Sequence, residues 1–290
     1  MKGKKLDMTE STPKGTAVPE LALNNGVRIP QLGFGVFQIP PEETRVAVGE
    51  ALKAGYRHID TAAAYRNESG VGAALAESGL PRGDVFITTK LRNGEQSSPR
   101  AAFEASRKAL GVDWIDLYLI HWPVPSQGLF TQAWKELESL QADGLVRVIG
   151  VSNFLPEHLD ELLAGATVVP AVNQFELHPT FQQAELAAKS RSHGLAVEAY
   201  SPLGQGKDLG SAAVTGLAAK YGATPAQIVL AWHLGMGNIV IPKSATPARI
   251  RENLAAAAIS LTPEELGLIS ALETGERIGA DPALAAFTQM

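Results

Sequence analysis

Cysteine is absent from the 290-residue chain. That absence removes disulfide frameworks, thiolate metal sites, iron–sulfur clusters and a catalytic thiol together, and it fits a reducing compartment, with the cytoplasm as the expected location. Basic charge is also scarce: 25 Lys and Arg stand against 30 Asp and Glu, a net charge of −5. A surface of that sign does not suit nucleic acid or an anionic membrane, so a small-molecule partner is expected. No apolar run approaches the roughly 18 residues of a membrane-crossing helix. The opening stretch MKGKKLDMTESTPKG is basic but has no apolar segment to make a signal peptide. Residues 1–19 therefore read as a flexible, solvated tail, with Met8 as an alternative start. Linkers rich in Pro, Gly and Ser, low-complexity tracts and repeated motifs are missing too.

What remains is 45% hydrophobic and 19% charged, enough apolar surface for a sizeable core. The Asn25-Gly26 pair, flanked by alternating apolar and polar residues, signals a hairpin, because that pair accepts positive φ. From residue 42 onward, helical-period segments alternate with short β-branched or apolar runs, the pattern of parallel βα units. Helices are expected at about 42–54, 68–79, 99–110, 131–142, 156–163, 182–192, 211–221 and 225–235. Strands are expected in LGFGV, YRHID, VFITTK, IDLYLIH, VRVIGVS, AVNQFE, LAVEAYS and NIVIPKS, with a glycine-rich connection at 203–210. Eight βα units without a break in composition predict one (β/α)8 TIM barrel over residues 20–290 rather than two smaller domains. Thr224 and Thr262, each followed by Pro, mark helix starts in which the third residue on reaches back to the cap.

In such a barrel, chemistry gathers where strands end and βα loops begin. Asp60 closes YRHID, Lys90 closes VFITTK and His121 closes DLYLIH, while Tyr65 lies in the short loop after Asp60. The Asp60 carboxylate would hold Lys90 as an ammonium, and that ammonium would in turn lower the pKa of the Tyr65 phenol. A neutral His121 could donate to a substrate oxygen and orient it. Together the four residues describe protonation of a developing alkoxide. Each alone has a plainer reading: a cap or surface ion pair for Asp60 or Lys90, a satisfied buried ring for His121, a packing residue for Tyr65. Their joint arrival at one face favours function.

The stretches GYRHIDTAAAYRNE, TTKL, DLYLIHWP, IGVSNF, VVPAVNQFELHP, AYSPLGQG and IPKSATPARIREN, in that order, resemble the aldo-keto reductase superfamily over about residues 20–280. The group most resembled is that of bacterial 2,5-diketo-D-gluconate reductases and the related prostaglandin F synthase-type enzymes. The resemblance implies NADPH-dependent reduction of aldehydes and ketones, with Tyr65 as general acid and Asp60, Lys90 and His121 completing a tetrad. It also implies an NADPH site without a Rossmann fingerprint, and Gly33-Phe34-Gly35 is indeed not GxGxxG. Cofactor contacts are implied for Gly35 and Val36, and for Ser152, Asn153 and Gln174 at the nicotinamide carboxamide. Tyr200 is implied to stack on the ring, and Ser201, Leu203 and Gln205 to cover the pyrophosphate. Lys243, Ser244, Arg249, Glu252 and Asn253 are implied at the adenosine end. Phe37, Trp122 and Phe287 become candidate substrate walls.

Arg92 stands where many relatives carry tryptophan. Either it faces solvent, or it makes the substrate pocket more polar or anion-seeking. No metal is expected, since the six histidines show neither HExxH nor carboxylate spacing. Trp134 and Trp232 are expected in the core. Two other functions stay open at this stage. One is a nucleotide-sensing or structural barrel acting through a protein partner, which would show no turnover of bound NADPH. The other is a Schiff-base Lys90, which would require a depressed lysine pKa.

Overall fold

The computed structural model describes residues 18–290, so nearly all of the tail expected over 1–19 lies outside the described residues. The chain begins with the expected hairpin, β1 (Glu20–Ala22) against β2 (Arg28–Pro30). Gly26 takes φ 83° at the turn, and the Asn25 side chain accepts from the Val27 amide at 3.2 Å.

Eight parallel strands follow: β3 (Phe34–Gly35), β4 (His58–Asp60), β5 (Phe86–Leu91), β6 (Ile115–Ile120), β7 (Val146–Ser152), β8 (Val172–Glu176), β9 (Ala196–Tyr200) and β10 (Ile239–Val240). They pair in sequence order from β3 to β10. The two edges are stitched together where Gly33 donates to the Val240 carbonyl and Val240 donates to the Gln31 carbonyl, both at 2.8 Å. The sheet thereby closes into the (β/α)8 barrel.

The helices are α1 (Pro41–Ala54), α2 (Glu68–Glu77), α3 (Pro99–Leu110), α4 (Phe130–Ala142), α5 (Pro156–Gly165), α6 (Ala184–Ser192), α7 (Ala212–Tyr221), α8 (Pro225–Gly235), α9 (Pro247–Ala255) and α10 (Pro263–Ser270). The Thr224 and Thr262 caps are reciprocal boxes with Gln227 and Glu265. No helix among the described residues is long and apolar enough to cross a membrane.

Several strands are shorter than their sequence patterns, LGFGV and NIVIPKS most of all, and for YRHID and NIVIPKS the reason is local. In YRHID, the Tyr56 amide is spent on the Ala51 carbonyl at the end of α1, so the β4 ladder starts only at His58. In NIVIPKS, Pro242 has no N–H to give, and β10 stops at Val240.

Strand alternation sorts the side chains into two sets. Ile59, Ile87, Tyr118, Ile120, Ile149, Val151, Phe175, Val197 and Val240 face outward and join the helices in the large core. Trp134 and Trp232 are buried in that same core. Phe86, Leu117, Leu119, Val148, Val172 and Ile239 face inward and pack with Leu23 and Ile29 of the hairpin, which plugs the end where the strands begin. Further along the strands the inward set becomes polar: His58, Thr88 and Glu198, then Asp60, Lys90 and Gln174, all buried. Gly33 leaves the room this needs, because a Cβ there would come within 2.5 Å of the His58 ring. An apolar plug below and a polar interior above concentrate the barrel's inward charge toward the strand ends.

Candidate active site

Lys90 lies at the centre of that charge. Its side chain is fully buried, and its Nζ donates to both oxygens of Asp60, at 2.7 and 2.9 Å, and to the Thr61 carbonyl at 2.9 Å. These three close acceptors, with the Tyr65 hydroxyl a more distant fourth, suit the protonated amine. Burial alone would depress its pKa, but the charge of Asp60, then Tyr65, and the hydrogen bond to Asp60 outweigh it, and the net shift is upward. An ammonium held in this way has no lone pair to attack a carbonyl, which argues against the Schiff-base alternative.

Tyr65 places its hydroxyl 3.5 Å from Lys90 Nζ. The loop that presents it is fixed from behind: Thr61 Oγ1 donates to Asn67, and the Asn67 amide donates to the carbonyls of Val36 and Ile39. One expectation needs correction here. Lys90 does pull the Tyr65 phenol downward, but burial raises it by more, with Asp60 adding to the rise, so the net shift is upward. A water-poor mouth disfavours phenolate more than one neighbouring ammonium, itself shared with Asp60, can favour it.

The His121 ring stands edge-on to Tyr65 with centroids 5.7 Å apart. Burial, with Lys90 nearby, drives its pKa well below the ordinary histidine value, and the imidazole is neutral. Its Nδ1 is buried without a hydrogen-bond partner among the described residues. Asp60, Tyr65, Lys90 and His121 are thus brought together at one mouth.

Around them, Phe37 packs on Tyr65 with ring centroids 5.0 Å apart and is 45% exposed. Trp122 meets Phe287 edge-on at 5.1 Å. Arg92 is half-buried and donates through Nε to the Gln289 carbonyl at 3.0 Å. It is therefore a tie to the C-terminal segment, as are the neighbouring bonds from Asn93 Nδ2 to the Phe287 carbonyl and from the Gly94 amide to the Thr288 carbonyl.

The remaining site residues fall into two groups. Near the tetrad, Gln174 donates to Asp60 at 2.9 Å. Asn153, at φ 63°, donates to Ser152 and to the His121 carbonyl and accepts from the Tyr200 hydroxyl at 2.8 Å. Val36 is buried in the outer core and donates its amide to the Asp60 carbonyl, while Gly35 donates to the Pro242 carbonyl. Further out, Ser201 and Gln205 take positive φ, Leu203 is half-buried, and Lys243 and Arg249 are exposed. Ser244 caps the turn into α9 through the Thr246 amide. Glu252 accepts from Thr224, and Asn253 is buried. Arg251 on the same helix reaches Glu50, but Lys243 and Arg249 have no carboxylate partner among the described residues.

A second polar cluster went unread in the sequence. His178, buried just beyond β8, lies 2.9 Å from Asp208 through Nδ1 and 3.1 Å from Glu176 through Nε2. Glu176 in turn accepts the amides of Ile278 and Gly279 at 2.6 and 2.7 Å. The cluster fastens the 204–210 loop and the C-terminal segment to the barrel. The spacing Glu176-x-His178 was its only visible signal, since Asp208 and residues 278–279 arrive from far along the chain.

This cluster sets a pH dependence of stability. Burial opposes charge on His178, but its bonds to Asp208 and Glu176 overcome that and raise its pKa to about 9. The folded protein therefore holds a proton that an unfolded histidine, titrating at about 6.5, has lost. Its contribution is complete below about pH 6.5 and disappears as pH rises through about 9. Urea midpoints should accordingly fall between those pH values, and His178→Gln should flatten that fall.

The aldo/keto reductase family matches residues 31–274 of the chain. An aldo-keto reductase of Mycolicibacterium smegmatis is 52% identical over 93% of this chain and 99% of its own length. Methylglyoxal reductase DkgA of Yersinia pestis is 49% identical over 92% of this chain and 97% of its own length. The crystal structure of a Gox0644 mutant in complex with NADPH superimposes with a TM-score of 0.90 at 43% identity, covering 93% of this chain and all of that one. With Asp60, Tyr65, Lys90 and His121 gathered at the mouth of a closed barrel and likeness of this extent along nearly the whole sequence, the chain belongs to the aldo/keto reductase family.

Proposed function

We propose that the protein reduces aldehydes and ketones to alcohols with NADPH, and that Tyr65 is the proton donor. The observation that carries this reading is the arrangement Asp60–Lys90–Tyr65, a buried ion pair with a phenol 3.5 Å beyond it. The Gox0644 mutant bound to NADPH and the methylglyoxal reductase among the relatives support the same chemistry.

The residues present fit a phosphorylated dinucleotide. Lys243 and Arg249 are exposed cations without carboxylate partners among the described residues, suited to the 2′-phosphate that NADPH carries and NADH lacks. The positive-φ backbone at Ser201 and Gln205 offers a loop that could follow a pyrophosphate. Ser152 and Asn153 offer polar groups for the carboxamide, and Tyr200 a ring face. When bound, the dinucleotide supplies the hydride from nicotinamide C4.

The chain's own part is to orient the carbonyl and deliver a proton. Neutral His121 can donate to the carbonyl oxygen without adding charge to the site. As negative charge develops on that oxygen, Tyr65 transfers its hydroxyl proton. An alkoxide is far more basic than a phenolate, so the raised Tyr65 pKa does not obstruct transfer and keeps the proton in place until it is needed. Lys90 then faces the phenolate, and Asp60 keeps Lys90 charged. Phe37 and Trp122 supply apolar walls that limit water.

Tyr65→Phe removes only the hydroxyl and should lower turnover of a simple aldehyde by roughly 10²–10⁴-fold, with NADPH affinity little changed. Turnover near wild type would overturn the assignment. Arg249→Ala should weaken NADPH binding by about 10-fold or more and leave NADH nearly unaffected, as titration by protein fluorescence can read. Equal affinity of wild type and variant for NADPH would return Arg249 to the solvated helix surface.

A further inference from the structure

Glu198 is a buried carboxyl that the proton transfer from Tyr65 does not use. It lies on β9, in register with Gln174 of β8 and Ile239 of β10, two residues before Tyr200 and so on the same inward face. The side chain is fully buried, and neither oxygen has a hydrogen-bond partner among the described residues. Its approach to His58 Nε2, 3.7 Å, is too long for a hydrogen bond. Both ring nitrogens of His58 are engaged elsewhere, Nε2 with Thr88 Oγ1 at 3.1 Å and Nδ1 with the Pro30 carbonyl at 3.3 Å. Burial keeps that imidazole neutral, its pKa lowered to about 4.

The groups facing Glu198 are few. From β4 come neutral His58 and anionic Asp60, and from β5 comes Lys90, already engaged by Asp60 and Thr61. β8 offers the uncharged Gln174 and β10 the apolar Ile239. A carboxylate with no partner at full burial is costly, so the resting form is the neutral acid. Burial first, and then repulsion by Asp60, raise its pKa to about 8 against the pull of Lys90 and of the Gln174 side chain.

We propose that Glu198 is a positioning residue for the proton donor: a neutral acid one layer deeper than the Asp60–Lys90 pair that, on losing its proton, adds a negative charge behind Tyr65 and weakens its proton donation. The sign follows from electrostatics. With Glu198 neutral, Asp60 and Lys90 cancel, and the phenolate formed at Tyr65 meets a site with no net charge. With Glu198 ionised the site is anionic, the phenolate is disfavoured and reduction slows. This inference rests on Tyr65 being the donor, the reading proposed above.

The test is single-turnover reduction of a simple aldehyde by the NADPH-loaded enzyme between about pH 6.5 and 9.5. In wild type the rate should fall several-fold, about 3–10-fold, through one step near pH 8 to a lower plateau, because the charge modulates Tyr65 without removing it. In Glu198→Gln the ratio of the rates at the two pH extremes should approach one, and in Glu198→Asp the midpoint should move. The absence of a step in wild type, or the same step at the same pH in Glu198→Gln, would overturn the proposal. Should neither variant fold, infrared spectroscopy of wild type labelled with ¹³C-glutamate still decides. A band from a buried, protonated glutamic acid carbonyl should be lost over the range of the step, and the absence of any such loss would overturn the idea. Tyr65→Phe separates this failure from that of the parent reading: retained turnover removes Tyr65 as donor, whereas lost turnover with a flat wild-type profile removes Glu198 alone.

Discussion

The ion pair between Lys90 and Asp60 sets the terms for everything around it. Removing two full charges from water costs several kcal/mol for each ion, and in a barrel interior that cost is met only if the remaining donors and acceptors are satisfied. The surroundings do this from three directions. The Thr61 carbonyl takes the third ammonium proton, Gln174 donates to Asp60 from across the barrel, and Asn67 fixes the loop that carries both Thr61 and Tyr65. β4, β5, β8 and the loop after β4 are therefore held in one geometry by one charge pair. Tyr65 stands at its open end.

Much of this was legible in the sequence because it depends on local register. An apolar strand that closes with Asp60, Lys90 or His121 places that residue at the mouth wherever the strand lies in the barrel, and two-residue alternation turns all three inward. Helix starts at Thr224 and Thr262 were equally local. Quantities that depend on the balance of distant neighbours were not legible. The Tyr65 shift was expected downward because the ammonium could be named, whereas the depth of burial could not. The pairing of His178 with Asp208 and the tie from Arg92 to Gln289 join residues 30 and 197 positions apart. Glu198 was visible only as an acidic residue within an otherwise apolar strand, which by itself does not tell a buried acid from a solvated one.

The C-terminal segment illustrates how distant ties shape the mouth. Near its start, Ile278 and Gly279 give their amides to Glu176. Near its end, Phe287, Thr288 and Gln289 give their carbonyls to Asn93, Gly94 and Arg92. Between these anchors it brings Phe287 against Trp122. The tetrad is thus built on the rigid barrel, while the wall beside it is built from a segment pinned at two places. Changes to the segment would reach Phe287 and Trp122 without disturbing the bonds that hold Asp60, Lys90 and Tyr65 together.

The central claim, that Asp60 and Lys90 act on Tyr65 as one unit, is tested most directly by a double-mutant cycle on single-turnover hydride transfer with Asp60→Asn, Lys90→Met and the two combined. A unit predicts strong non-additivity, with the double variant about as slow as the slower single variant. Losses that simply multiply would mean that the two residues contribute independently and would contradict the account.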